Sequence, residues 1–506
     1  MNQATPRRYN LRSSQRDVPI PYNSAKSVVP LRKRNSPSEA NKGHKRQRTQ
    51  QSHGPPFRSP AGIDLPRQSH IEQRPIVQLP TRLSRELEQP FGSFGQLPND
   101  VIYQILSRTP YTLLGRMSMT STVWKRTISA YVRSGSFNLR LTKDVENTMD
   151  SFSNEKLGSN DLYFSMGTLT KYLTINEKWS VRLDCLRMFL TMAYEADSSI
   201  AGIGKIVHAF ALRPDEEIVM EEIDDIVTLV FSIVGSLVHE LNGVVSRSDV
   251  ERDLENTENA HIWFYEMELR KRVLTLFLNN GVTDPAVGLN KFFLSSVLRK
   301  FKEAHGVVPT SLIYLLFSPT TIYEGEEVIH WHRLSQISVV DFDDALELNP
   351  LARAMFALLQ CKKLNNTLPW TKNTIFNLME EITTYPNPWS MNTFVALHVL
   401  EPELVPIGVV ARLNRNHEDE AGDMICTMKM LLFRWKMDVV GVIERALESI
   451  KTALKPEQCR TLFDRCWDWH QRNIDDLHRR LGQSAEEIRA EIESQMEVMP
   501  MLMKLL

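Results

Sequence analysis

Cysteine is scarce in this chain. Five occur in 506 residues, at Cys185, Cys361, Cys426, Cys459 and Cys466. An odd, dispersed handful excludes a disulfide scaffold and any cysteine-rich zinc module, and it favours a reducing compartment. Long hydrophobic runs are also missing. The longest uncharged apolar stretch is Ile226–Val238, shorter than the roughly 20 residues that span a bilayer, so a buried core helix is expected there and no membrane partner. No apolar N-terminal segment resembles a signal peptide. Alternating strand patterns are few, and no tetratricopeptide, ankyrin, leucine-rich, WD or kelch period emerges. Phosphate-binding, dinucleotide-binding, HExxH and GxSxG motifs are absent, which leaves no signature for an enzyme or a cofactor.

Balanced charge is lacking too, although the net value of −1 hides it. Residues 1–80 hold 15 Lys and Arg against 4 Asp and Glu, a balance of +11, so the other 426 residues carry −12. Residues 1–90 are rich in Pro, Ser, Arg, Gln and Asn with few aromatics, a composition expected to be disordered. Within them Lys33-Arg34, a ten-residue spacer and Lys45, Arg46 and Arg48 form two basic clusters at the spacing of a bipartite nuclear import signal. The expected reader is an import receptor, and the expected site is the nucleus. Only Tyr9, Tyr22 and Phe57 are aromatic there, a poor platform for stacking bases, so nucleic acid is not the expected partner. Ser36-Pro37 and Ser59-Pro60 are candidate phosphorylation sites, and phosphate at Ser36 would oppose the neighbouring cluster.

From about residue 136 to 506 apolar residues recur at helical spacing. Helices are expected at Ala260–Leu278, Leu289–Phe301, Ser311–Phe317, Asp341–Leu359, Lys372–Ile382, Ser390–Leu400 and Met424–Leu454. Segment 179–194 places Val181, Leu183, Leu186, Phe189, Leu190 and Ala193 on one face. Pro456 opens a predicted helix that stops at Gly482, and Ser484 with Glu487 gives a capping box for the next. The polar stretch Asn416–Met424 reads as a loop. The expected architecture is an all-α, solenoid-like body of no known repeat class, with the apolar C-terminus (MPMLMKLL) docked on the same core. His330 and His332 lack metal-ligand partners at usable spacing. Cys459, Cys466 and His470 share one helix and could hold zinc only with a fourth group from elsewhere, so no metal is expected. Asp224-Asp225 and Asp343-Asp344 are expected on solvated faces.

Residues 94–131 stand apart. Leu97-Pro98 precedes Val101, Ile102, Ile105 and Leu106 at helical spacing, with Asn99 or Asp100 as the expected cap. Pro110 breaks the chain. Leu113, Leu114 and Met117 follow, then Val123, Trp124 and Ile128 behind a capping Ser121. Three short helices cannot bury all of these among themselves, since about 40 residues is marginal for an independent core. Part of the surplus must face a partner.

This order of anchors resembles the F-box. Leu97, Pro98, Asp100, Val101, Ile105, Leu106, Pro110, Leu113, Leu114, Met117, Ser118 and Trp124 match its pattern, while Thr109, Thr112, Thr120 and Ser121 replace its usual Leu, acid, Val and Cys. More broadly, FGSFGQLPNDVIYQIL, LIYLLFSP, VIHWHRL, PNPWSMNTFVALHVL and the basic RRYNLRSS resemble the F-box only protein 47 family, whose members act in meiotic prophase of germ cells. The resemblance implies three parts: a basic tail at 1–90, a three-helix F-box at 91–135 and an all-helical substrate-recognition body at 136–506. It implies a non-catalytic subunit of a Skp-cullin-F-box ubiquitin ligase, with a Skp-type adaptor, a cullin-RING scaffold and a protein substrate as partners. The adaptor contacts it implies are Leu97, Pro98, Val101, Ile105, Leu106, Pro110, Leu113, Leu114, Met117 and Trp124. The competing expectation is a nuclear scaffold that binds chromatin or a partner through its tail, without ligase activity.

Overall fold

The computed structural model describes residue 94 and residues 97–150, 161–212, 219–255, 257–279, 283–361, 370–385, 387–479 and 485–506. The import clusters, Ser36, Ser59, Gly482 and Ser484 lie outside these residues. The first three helices are α1 (Asn99–Arg108), α2 (Tyr111–Thr120) and α3 (Thr122–Val132). The body continues through α4 (Gly135–Asp150), α5 (Leu162–Thr174), α6 (Trp179–Asp197), α7 (Ile200–Ala211), α8 (Met220–Ile233), α9 (Gly235–Val245), α10 (Ala260–Phe277), α11 (Asn290–His305) and α12 (Thr310–Phe317). After a hairpin of β1 (Thr320–Tyr323) and β2 (Glu326–Ile329) come α13 (Asn349–Leu359), α14 (Lys372–Ile382), α15 (Met391–Leu400) and α16 (Val405–Asn414). The last four are α17 (Glu418–Arg434), α18 (Val439–Ala453), α19 (Pro456–Arg479) and α20 (Ala485–Leu502). The hairpin is antiparallel, with Thr320 opposite Ile329 and Tyr323 opposite Glu326.

Many helices pack on those two or three positions along the chain: α2 on α5, α5 on α7, α7 on α10, α8 on α11, α15 on α17, α17 on α19 and α18 on α20. Such near-neighbour stacking is how a helical solenoid builds one continuous core from units that cannot bury their own faces. Glycine permits the closest crossings. A Cβ on Gly167 of α5 would strike the Ile206 carbonyl of α7, and one on Gly204 of α7 would strike the Thr275 carbonyl of α10.

Several expectations are corrected. Ile226–Val238 is two helices, α8 and α9, bent by 95° at Val234. Among the described residues no single helix is long and apolar enough to cross a membrane. Asp341–Leu359 breaks into a single turn (Phe342–Ala345), a 3-10 turn and α13. Met424–Leu454 breaks between α17 and α18, where Lys436 takes a positive φ of 55°. Asn416–Met424 is mostly the first turns of α17. Glu418, Asp419 and Glu420 sit where the helix dipole favours anions, and Gly422 lets Arg465 of α19 approach, its Cβ 2.8 Å from where a glycine Cβ would sit. Val181 is exposed, and Arg182 occupies the buried face of α6 in its place, over the Trp179 and Phe210 rings.

Asp224 is likewise not a solvated acid. It is buried, accepts a 2.7 Å hydrogen bond from the Ser296 hydroxyl and pairs with Arg299, tying α8 to α11. Asp225 accepts from the Trp179 indole at 2.8 Å. The C-terminal segment docks as expected, with Met501, Leu502 and Leu505 buried against α18.

A buried ionic cluster crosses the centre of the body. Glu266 of α10 is fully buried, 2.6 Å from the Arg247 guanidinium and 3.6 Å from Arg252 Nε. Arg252 donates to the Tyr385 hydroxyl at 2.7 Å and stacks 4.1 Å over Trp331. Burial pushes the Glu266 carboxyl above its ordinary range, and the two arginines oppose that shift.

Candidate docking face

Helix α1 starts without a side-chain cap. Pro98 occupies the N-cap, and its carbonyl accepts from Val101 N at 3.0 Å and Ile102 N at 3.1 Å, so neither Asn99 nor Asp100 is the cap. Proline suits this site because it has no N–H to leave unpaired. Ser121 caps α3 as expected, accepting from Val123 N at 3.1 Å and Trp124 N at 3.5 Å.

Apolar side chains occupy two faces of α1. Ile102 and Leu106, four residues apart, point inward, while Val101 and Ile105, also four apart, are 37% and 39% exposed. On α2, Leu114, Gly115 and Ser118 are buried, whereas Leu113 and Met119 are 46% and 54% exposed. Pro98 and Pro110 are exposed, and Leu97, Met117 and Trp124 are half-buried. Trp124 meets the Phe94 ring edge-on at 6.2 Å. The outward face therefore unites Pro98, Val101, Ile105, Pro110 and Leu113 with half of Leu97, Met117 and Trp124. Met119 joins this apolar surplus, which sequence reading missed because Met119 breaks the spacing of its neighbours.

Leu106 and Leu114 are corrected. Both are fully buried, so they form the core beneath the face and offer no surface to a partner.

The inward face is fused to the body. Gly115 brings α2 onto α5: a Cβ there would lie 2.8 Å from the Tyr172 ring and 3.4 Å from Leu169 Cα. Aromatic rings continue the joint. Tyr131 of α3 lies 5.4 Å from Tyr103 and 5.5 Å from Phe137, and Phe137 of α4 meets Tyr111 at 5.8 Å and Phe189 at 5.9 Å, nearly all edge-to-face.

Arg140 of α4 closes the joint. Its guanidinium donates to the Leu106 carbonyl and the Thr109 carbonyl, each at 2.8 Å, and to Asp144 Oδ2 at 3.2 Å. It also lies 4.2 Å over the Tyr111 ring, whose hydroxyl donates to the same Asp144 oxygen at 2.8 Å. A cation at these last carbonyls satisfies orphan acceptors and complements the dipole of α1.

Two of the three departing threonines, Thr109 and Thr120, turn their hydroxyls back on their own helices. Thr109 Oγ1 donates to the Ile105 carbonyl and Thr120 Oγ1 to the Met117 carbonyl, both at 2.8 Å. Only the Thr109 main chain reaches the body, through Arg140.

The cysteine and histidine candidates are packed side chains. Cys466 and His470 are buried against α17, where Cys426 Sγ lies 3.9 Å from His470 Nε2 and Lys429 Nζ 3.5 Å from Nδ1. Burial, with Lys429 beside it, lowers His470 to about 3. Cys459 is buried as well, and His330 sits at the end of β2, half-buried. No group of three or more His, Cys, Asp or Glu among the described residues is placed to hold a metal ion.

Fold and face together define a helical-repeat protein that carries a small three-helix unit with an exposed apolar side. Residues 254–506, half of the chain, match the family model described as FBXO47, ARM repeats. The chain belongs to the FBXO47 family, and residues 254–506 of its body are ARM repeats, which corrects the expectation of no known repeat class. No individually curated protein matches the chain at a significant level.

Proposed function

We propose that this chain is the substrate-receptor subunit of a Skp-cullin-F-box ubiquitin ligase, acting in the nucleus of germ cells during meiotic prophase. The observation that carries the adaptor half of this reading is the outward row Val101, Ile105 and Leu113, left exposed while Leu106 and Leu114 beside them are fully buried. Apolar groups set at helical spacing on a rigid base suit insertion into a partner's groove. The subunit does no bond chemistry itself. It holds a protein substrate at high effective concentration near a cullin-RING scaffold, whose partner enzyme supplies the ubiquitin. The ARM-repeat body offers the extended surface for that substrate, and the paired basic clusters of the tail support entry through an import receptor.

The test is affinity purification of the full chain beside a variant carrying Ile105→Asp and Leu113→Asp. Both positions are exposed, so folding survives and a purified Skp-type adaptor should cease to co-elute. Undiminished adaptor recovery would refute the reading. Proteins that accumulate in cells carrying only the variant identify the substrate.

A further inference from the structure

We propose that Thr109 is a phosphoacceptor for a proline-directed protein kinase, and that its phosphate switches off the docking face. The inference rests on the adaptor-docking reading above for its consequence, though not for the modification itself. Two hydroxyl-proline dipeptides occur among the described residues, Thr109-Pro110 and Ser318-Pro319. Ser318 is fully buried, which bars a kinase. Thr109 sits in the break between α1 and α2, extended at φ −86° and ψ 130°, and Pro110 after it is exposed. An extended residue followed by an accessible proline is the shape such a kinase reads.

The step is a simple transfer. A lone pair of Thr109 Oγ1 forms a bond to the γ-phosphorus of ATP, the bond from that phosphorus to the β-bridging oxygen breaks, ADP leaves with the electron pair, and the hydroxyl proton passes to the kinase's base. The product carries about −1.5 to −2 charge at pH 7.

Its position makes the charge disruptive in two ways. Thr109 Oγ1 donates to the Ile105 carbonyl at 2.8 Å, so the phosphate replaces a hydroxyl lying within one helical turn of the exposed Ile105 side chain. A dianion there must be desolvated before an apolar groove can close over Ile105, Pro110 and Leu113. It also stands at the C-terminus of α1, where the dipole disfavours anions. The half-buried Arg140 guanidinium is already bonded to the Thr109 and Leu106 carbonyls. A phosphate that draws the guanidinium away uncaps α1.

The experiment treats the full chain with a purified proline-directed kinase and Mg-ATP, beside Thr109→Val. Phosphopeptides are mapped by mass spectrometry, and binding to a purified Skp-type adaptor is measured before and after. Phosphate is expected on Thr109, and the wild type should lose about tenfold or more in affinity. Treated Thr109→Val, which still carries Ser36-Pro37 and Ser59-Pro60, should keep its affinity. Absence of phosphate on Thr109 while Ser36 or Ser59 is modified overturns the proposal, as does unchanged affinity of a chain phosphorylated at Thr109. An untreated chain that fails to bind the adaptor overturns the functional reading, and the switch with it.

Discussion

Replacing Arg140 by Met tests whether the three-helix unit is held in place by its polar contacts to α4. The substitution keeps most of the aliphatic stem and removes the guanidinium. Lost are two charge-assisted hydrogen bonds of 2.8 Å to the carbonyls of Leu106 and Thr109, the ion pair to Asp144 and the stacking over Tyr111. A hydrogen bond to a charged group contributes about 1.5–3 kcal/mol, and an exposed cation–π contact about 0.5–1 kcal/mol. The gross sum overstates the loss. An open groove lined by Tyr103, Gln104, Leu139 and Arg140 runs alongside, so water can reach the freed carbonyls. Asp144 is about a third exposed, and the ion pair adds little. The net expectation is about 2–3 kcal/mol. Because α1 packs on α4 at one edge of the solenoid, the loss should appear as local opening rather than global unfolding. Native-state hydrogen exchange of α1 amides should accelerate by about 30- to 150-fold, with amides of α17 and α19 unchanged. Acceleration under about threefold would mean that the aromatic joint alone fixes the unit and that the cap is ornamental.

Neighbouring leucines on α2 should separate stability from docking. Leu114→Ala should cost about 2–5 kcal/mol of stability in urea titration, while Leu113→Ala costs under about 1 kcal/mol yet weakens adaptor binding in calorimetry; equal effects on both readouts would contradict the two-sided unit. Glu266→Gln leaves Arg247 and Arg252 without their buried counter-charge and should destabilise by about 3–5 kcal/mol in the same titration, so a neutral result would mean that the arginines are satisfied elsewhere. His398 is buried and His208 half-buried against the Phe293 ring, and desolvation holds them at about 3 and about 4, below the ordinary 6.5. The unfolded chain therefore binds protons that the native one refuses. Their contribution is complete above pH 6.5 and is lost as pH falls towards the folded values, with a slope approaching about 1.4 kcal/mol per pH unit for each histidine. The double variant His208→Gln, His398→Gln should flatten stability against pH in that window, and an unchanged slope would exclude them as its source.

Faces were legible in the sequence where one side of a helix meets one environment. Lys372–Ile382 is legible to the residue and Ser121 as a cap, because capping and periodicity are local. The three-helix unit was legible for the same reason, together with the surplus that pointed to a partner. Its division into inner and outer rows was not. Val101 with Ile105 and Ile102 with Leu106 have the same four-residue spacing and the same chemistry, and only the position of α3 and α4 decides which pair is covered. Polar residues hid the joints in a similar way. Asp224 reads as a surface acid until Arg299 and Ser296 arrive from a helix some seventy residues later, and nothing local to Arg140 signals that it meets the end of α1. Gly422 shows the reverse error. Glycine among acids suggests a loop, yet here it is a notch in α17 into which the Arg465 backbone fits. The ARM repeats escaped for a related reason: each unit meets only its neighbours, so connections such as 278–289 and 360–371 can vary in length and blur any fixed period. What a single sequence conceals here is which neighbour fills each face, and that is the property on which docking to any further partner depends.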